Sequence, residues 1–312
     1  MGNTFRRSSG RAWRLRQRSM ALWPTWVKDL RYLARSTDLD IRRPLIQLAS
    51  SDEEAARMRS LAHKRSELGL VWLPTELASA PISSLGRAWP DARHGALLSR
   101  SDGCINPLTL RAALQSALII KDVRMIASKV CRLERLERSA ATQWKLTLES
   151  GAKLSCGIVV LCAARASSNL LEPLGHNIPQ EPVLGQALTL ETEDDGSNWS
   201  NWPAVMVSRG VNLIPIGPRR LWLGATNEPG QVLQPRQVDL LRQLEGTAPA
   251  WLESCNIVNH WHGERARPKD RAAPLLMIVE PGLILAAGHY RNGVLLTPAT
   301  AEWVAEQIMG KS

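Results

Sequence analysis

Between Gly282 and Ala301 an apolar stretch, Leu283-Ile284-Leu285-Ala286-Ala287, leads through a polar turn, Gly288-His289-Tyr290-Arg291-Asn292-Gly293, into an apolar run that begins Val294-Leu295-Leu296. The pattern predicts a buried strand, a tight turn and a helix, with the polar groups gathered where strand hands over to helix. A helix start offers backbone N–H groups with no partner inside the helix, together with the positive end of the helix dipole. That combination suits an anion or an electron-rich ring. Gly288 and Gly293 let the backbone come close to a flat ligand. The competing interpretation, a surface turn with solvated polar residues, fits less well, because a strand-to-helix junction in a layered fold points its turn toward the site.

Other chemistries find less support. His260 and His262 alternate on an expected strand and so share one face, but no third histidine, cysteine or carboxylate stands at a companion spacing, so no metal is expected. Neither GxSxG nor GxxxxGK[ST] occurs, which argues against serine hydrolysis and P-loop triphosphate binding. The five cysteines are odd in number and form no CxxC pair. They read as free, mostly buried thiols of a cytoplasmic protein. The net charge is +10, with Arg6, Arg7, Arg11, Arg14, Arg16 and Arg18 clustered early. No nucleic-acid motif accompanies them, and one Phe and two Tyr leave few platforms for stacking bases, so a solvated helix face is expected rather than nucleic-acid binding. No apolar run reaches the ~18 residues of a membrane span.

The elements around the turn read as mixed α/β. A long helix is expected from about Ala12 to Ala34, interrupted at Pro24. A strand over 45–49 precedes a helix capped by Ser51, with acids in its first turn, that ends near Gly69. Strands are expected at 71–73, 124–127, 129–136, 143–149, 153–156 and 157–163, the last buried on both faces. Ser101-Asp102-Gly103 reads as a turn and 107–118 as a helix with Pro at its first position. Then come strands at 185–191, 205–207, 211–216 and 221–224, a helix at 235–244, strands at 257–261 and 283–286, and a final helix at 293–309.

At this point the sequence resembles a known family. GHYRNGVLLTPATAEWVAEQI (288–308) is similar to the C-terminal flavin-contact motif of the D-amino-acid oxidase superfamily of FAD-dependent oxidoreductases, and most resembles its glycine oxidase (thiamine biosynthesis) and sarcosine oxidase type. HWHGERARPKD (260–270), NLIPIGPRRLWLGATNEPG (212–230), PVLGQALTLE (182–191) and SDGCINPLTLRAAL (101–114) extend the likeness, each weak alone but in the family's order.

The resemblance implies FAD as cofactor and a small amino acid or secondary amine as substrate. It implies hydride transfer from the substrate's α-carbon to flavin N5, with oxygen as electron acceptor. By position, Arg265 would bind the substrate carboxylate and Arg291 would lie near the active site. Gly288, His289, Tyr290, Asn292, Gly293, Val294 and Leu295 would contact the flavin. A homo-oligomer is a further possibility. The implied fold is a flavin domain from 1–37, 100–180 and 265–312, and an antiparallel β-sheet substrate domain from 38–99 and 181–264.

The sequence also departs from that pattern. The family opens with a strand, GxGxxG, a helix and a second strand ending in an acid, and no GxGxxG occurs in the 312 residues. The expectation is therefore an incomplete Rossmann-like FAD domain, from either a mis-started reading frame or a non-catalytic remnant that does not hold FAD. Ala163-Ala164-Arg165-Ala166 stands where the family has a small-residue and glycine turn. Asn212 and Ile216 stand where the glycine oxidase pattern tends to have Tyr and Arg, which leaves the substrate open.

Overall fold

The computed structural model describes residues 2–36, 38–79, 87–138, 141–193, 199, 201–230 and 232–310. In chain order the elements are α1 (Arg11–Ala34), β1 (Ile41–Arg42), β2 (Leu45–Leu48), α2 (Asp52–Lys64), β3 (Leu70–Leu73), α3 (Thr75–Ser79), β4 (Ala96–Ser99), β5 (Cys104–Ile105) and α4 (Pro107–Ile120). A meander follows, β6 (Val130–Arg138), β7 (Ala141–Leu148) and β8 (Lys153–Cys156), then β9 (Val159–Leu161), α5 (Ala166–Leu171) and β10 (Gln180–Glu191). The chain continues with β11 (Val205–Ser208), β12 (Val211–Gly217), β13 (Arg220–Gly224), β14 (Glu228–Pro229), α6 (Arg236–Gln243), α7 (Ala250–Ser254) and β15 (Asn256–Pro268). It closes with β16 (Leu275–Glu280), β17 (Leu283–Ala287) and α8 (Gly293–Ile308).

The chain gathers into two compact units, one from Met1–Ser8, Leu39–Asn106 and Leu184–Glu264, the other from Ser9–Asp38, Pro107–Val183 and Arg265–Ser312. These limits differ from the expected segments in four places. Residues 1–8 and 100–106 fall in the first unit, and 38 and 181–183 fall in the second. Charge and hydrogen bonding place the N-terminal segment. The buried Asp102 carboxylate accepts from the backbone N–H of Gly2, Asn3 (3.0 Å) and Thr4 (3.2 Å). Arg65 donates to the carbonyls of Asn3, Phe5 (2.7 Å) and Arg7 (2.9 Å). Asp102 was expected to be simply a turn residue; its carboxylate also satisfies buried amides that would otherwise lack an acceptor.

The first unit is built on a sheet ordered β14-β10-β13-β12-β11-β2-β4-β3 among the described residues, with β15 also paired to β10. Leu188, Leu190, Leu213, Leu221 and Leu223 recur with a period of two and bury one face, which is why these segments form strands. Leu241, Leu244 and Leu252, from around α6 and α7, pack on that core. Elsewhere α2 lays Ala55, Met58 and Ala62 against Leu70 and Leu97. Its start is set by the expected cap: Ser51 Oγ accepts from the Glu54 N–H at 3.2 Å. The sheet is not purely antiparallel as expected, because β2 and β11 run parallel, with Val205 opposite Leu45.

The second unit holds β16-β17-β9, in which β17 runs parallel to β9 and antiparallel to β16, and the separate meander β6-β7-β8. All five residues of β17 are buried, as the apolar run requires of a strand covered on both faces. Leu283 and Leu285 pack with Val159, Leu161, Trp144 and Leu171. Helix α1 buries Ser19, Trp23, Val27 and Leu30 along one face and packs on α8 and α4. It runs unbroken through Pro24.

Two further sequence expectations fail. Residues 124–127 form no strand; among the described residues they join no sheet, and Arg124, Met125 and Ile126 are exposed. The cysteines are all free, but Cys255 is buried while Cys131 and Cys162 are exposed and Cys104 and Cys156 half-buried. Cys162 follows the end of β9, where the backbone leaves the sheet.

Candidate flavin corner and carboxylate anchor

The expected turn is present and sits at the end of β17. Gly288 is buried with φ 62°, Tyr290 has φ 54°, and Tyr290–Asn292 form a single 3-10 turn before α8 begins at Gly293. The Asn292 N–H donates to the His289 carbonyl at 3.0 Å. Gly288 is glycine for a packing reason as well as a conformational one. A Cβ there would fall 2.8 Å from Pro268 Cγ, 3.0 Å from Leu275 Cγ and 3.1 Å from Gln180 Oε1.

The parallel partner strand ends in a matching way. After β9 the chain turns through Ala164, which has φ 48°, into α5. Gln180 Nε2 donates to the Ala164 carbonyl at 2.8 Å and lies 3.3 Å from Ser168 Oγ. The carboxyl ends of parallel strands are where α/β folds place ligands, because successive turns and helix starts converge there. Both left-handed turns of the second unit's parallel pair lie at that end.

Helix α8 carries Pro298 in its interior, which removes one helical N–H and crowds the preceding turn. Helix α1 compensates. Trp23 Nε1 donates to the Leu295 carbonyl at 3.0 Å, and the Ala299 N–H donates to Ser19 Oγ at 3.2 Å. His289 Nε2 lies 2.9 Å from Thr300 Oγ1. Burial lowers the proton affinity of His289 below the ordinary imidazole value, and the Arg11 charge adds to this. His289 is thus a neutral ring tied to the body of α8.

The corner has the features a flavin would need. Asn292 makes no side-chain cap, so its side chain does not take up the first N–H groups of α8. A Cβ placed on Gly293 meets nothing within 4 Å, and Val294 is 43% exposed. Uncapped amides, an open glycine and an apolar contact beside half-buried His289 and Tyr290 suit the polar edge and flat face of an isoalloxazine.

The site residues named from sequence do not all gather equally. Gly288, His289, Tyr290, Arg291, Asn292, Gly293, Val294 and Leu295 form one continuous corner, in which the Arg291 side chain is exposed. Arg265 lies on β15, three residues before Pro268, which places it about 10 Å along the strand from the contact with Gly288. It is half-buried and shares a face with Arg267, while Ala266 and Pro268 are buried on the other. Sequence reasoning missed Gln180, Glu181 and Arg267 around this corner. The readable signal was Arg265 and Arg267 alternating onto one strand face.

The first unit has a polar network of its own. The buried carboxylate of Glu228 accepts from Gln186 Nε2 (2.9 Å), the Gln234 N–H (3.2 Å) and Thr226 Oγ1. His260 Nε2 donates to Gln186 Oε1 at 2.9 Å. Asn212 Nδ2 donates to the Gly224 carbonyl at 3.0 Å. The His260 and His262 rings stand 6.5 Å apart, and among the described residues no group of three or more His, Cys, Asp or Glu gathers to hold a metal. No helix among them is long and apolar enough to cross a membrane.

A family model described as FAD dependent oxidoreductase matches residues 2–307. The chain is 27% identical over 307 residues to glycine oxidase from Geobacillus kaustophilus, spanning 94% of this chain and 76% of that protein. The crystal structure of that enzyme superposes with a TM-score of 0.81 at 24% identity, covering 98% of this chain and 81% of the enzyme's. Glycine oxidase from Pseudomonas putida is 25% identical over 264 residues, 83% of this chain and 68% of its own. A Burkholderia mallei tRNA 5-methylaminomethyl-2-thiouridine biosynthesis bifunctional protein is 31% identical over 216 residues, 66% of this chain but 30% of its own length.

Proposed function

Given that the chain belongs to the FAD dependent oxidoreductase family, of the glycine oxidase and D-amino-acid oxidase type, we propose that it oxidises a small amino acid or a secondary amine bearing a carboxylate. The observation that carries this reading is the corner at 288–293, with its uncapped helix start and buried Gly288. Bound FAD supplies a two-electron acceptor.

The chain's own residues would do the rest. Arg265 presents a planar fork that holds both oxygens of a carboxylate and so fixes the α-carbon's direction. The α8 N–H groups and helix dipole favour negative charge at the corner. His289, kept neutral by burial, adds no positive charge that would compete for the substrate carboxylate. Arg291, exposed beside the corner, would draw anionic substrate toward it. A role in thiamine biosynthesis and oxygen as the final acceptor belong to this reading.

The test is direct. Purified protein should be yellow, absorbing near ~450 nm, and should bleach anaerobically with glycine, sarcosine or a D-amino acid. A sample that stays colourless with added FAD would favour the non-catalytic remnant instead.

A second reading follows from the Burkholderia relative, whose name specifies a methylaminomethyl group on a tRNA base. In this reading the secondary amine is carried by RNA, and the net charge of +10 favours such a substrate. Salt-sensitive tRNA binding in a filter assay separates the two readings.

A further inference from the structure

A cavity of about 510 Å³ in the second unit is lined by the consecutive residues Val159, Val160, Leu161, Cys162 and Ala163. Side chains of successive strand residues point to opposite faces, so neither face of β9 could present all of its residues to one space. What they share is the backbone edge. The cavity therefore runs along the edge of β9 that faces away from β17. Among the described residues β9 pairs with β17 and with no other strand. The hydrogen-bond phase agrees. The Val159 N–H donates to the Gly282 carbonyl at 2.8 Å, on the β17 side. Backbone groups alternate from edge to edge along a strand, so the N–H and C=O of Val160 point to the cavity side.

The other walls are mostly apolar, with Leu133 and Leu146 from the meander and Ala166 and Leu170 from around α5. Ile158, just before β9, leaves further apolar surface open at 44% exposure. The strand on the opposite edge shows what this sheet accepts, because Leu283-Ile284-Leu285-Ala286-Ala287 of β17 is buried at every position. We propose that the open edge of β9 is a docking slot for an extended segment of another polypeptide, apolar at successive positions, which adds a strand to the sheet β16-β17-β9. Main-chain hydrogen bonds to Val160 would fix the segment, and the apolar walls would select its side chains. β9 has three residues, about 10 Å of strand, so the slot grips a short segment rather than a folded surface. This inference stands apart from the flavin reading.

Two thiols report on the slot. Cys131 and Cys162 both line it and are exposed, whereas Cys104 and Cys156 are half-buried and Cys255 is buried. The probe is a synthetic peptide carrying Leu-Ile-Leu-Ala-Ala between terminal lysines, added to the full chain during alkylation with N-ethylmaleimide and read by mass spectrometry. Saturating peptide should slow labelling of Cys131 and Cys162 about tenfold and leave Cys104 unchanged. A control peptide with serine at alternate positions should protect neither thiol. Val160→Pro leaves the β17 ladder intact, since the lost N–H lies on the other edge and proline is tolerated on edge strands. It should raise the peptide's dissociation constant about tenfold, with circular dichroism unchanged. A peptide N-methylated at alternate residues probes the same bonds on the unaltered chain and should also fail to protect. No protection by the apolar peptide would overturn the inference, as would equal protection by the serine or N-methylated peptide. Protection by FAD but not by the peptide would assign the cavity to the cofactor, sinking the slot and supporting the flavin reading. Peptide protection in a chain that takes up no FAD would leave the slot standing and that reading without support.

Discussion

Pro268 Cγ lies 2.8 Å from the point where a Cβ on Gly288 would fall, and Gly288 holds φ at 62°. Two costs therefore meet at one position, a left-handed backbone and a filled neighbour. Gly288→Ala should lose about 2–4 kcal/mol, since the backbone preference and the displacement of a proline ring add. A thermal melt should show a drop of several degrees, and flavin retention should weaken. A melting point equal to wild type would mean that the corner relaxes freely.

Arg265 is the residue proposed to hold the substrate carboxylate. Arg265→Ala should raise KM strongly and cost roughly 2–5 kcal/mol in kcat/KM. Steady-state kinetics with a carboxylate-bearing amine would measure this. Unchanged constants would remove Arg265 from the role.

Acidification should weaken the fold through His289. Its proton affinity is lowered, first by burial and then by Arg11, so the unfolded chain protonates before the folded one. Below the ordinary imidazole value the unfolded state binds more protons, and stability falls as pH drops toward the depressed folded value. Urea titrations on either side of that range should show the slope, and His289→Gln should flatten it. Glu280 acts in a lower window. Its proton affinity is lowered chiefly by the hydrogen bond from Arg135, so its contribution is present above the ordinary carboxylate value and is lost as pH falls below it. Arg135→Met should remove most of that second slope.

Glu228 is the shared acceptor of its network. Glu228→Ala removes the shared acceptor of Gln186 Nε2, Thr226 Oγ1 and the Gln234 N–H, of which Gln186 and Thr226 are buried. A loss of about 2–4 kcal/mol is expected in chemical unfolding, because unsatisfied buried donors cost more than the bonds they made. A loss below ~0.5 kcal/mol would show that water reaches the network.

Asp102 ties down residues 2–4 through their backbone N–H groups. Asp102→Ala should free that segment, and amide exchange at residues 2–8 should rise by at least tenfold while the β12–β13 hairpin stays protected. Protection that persists would assign the anchoring to Arg65 instead.

Much of this protein was written locally. The Ser51 cap, the β12–β13 hairpin, the apolar β17 and the Gly288-to-Gly293 turn all follow from residues a few positions apart, whose preferences act before any distant contact forms. So does the family likeness at 288–308, since a ligand-binding corner is a short contiguous motif. Tertiary structure decided what depends on register between distant segments. It set β2 parallel to β11, turned Asp102 from a turn residue into a buried anchor, and left 124–127 irregular because no strand came alongside. It also brought Ser19 and Trp23 to the helix carrying Pro298, and Glu181 to Arg267. Such partners stand tens to hundreds of residues apart, and no spacing rule links them; they meet only because the packed core leaves each polar group one place to find its match.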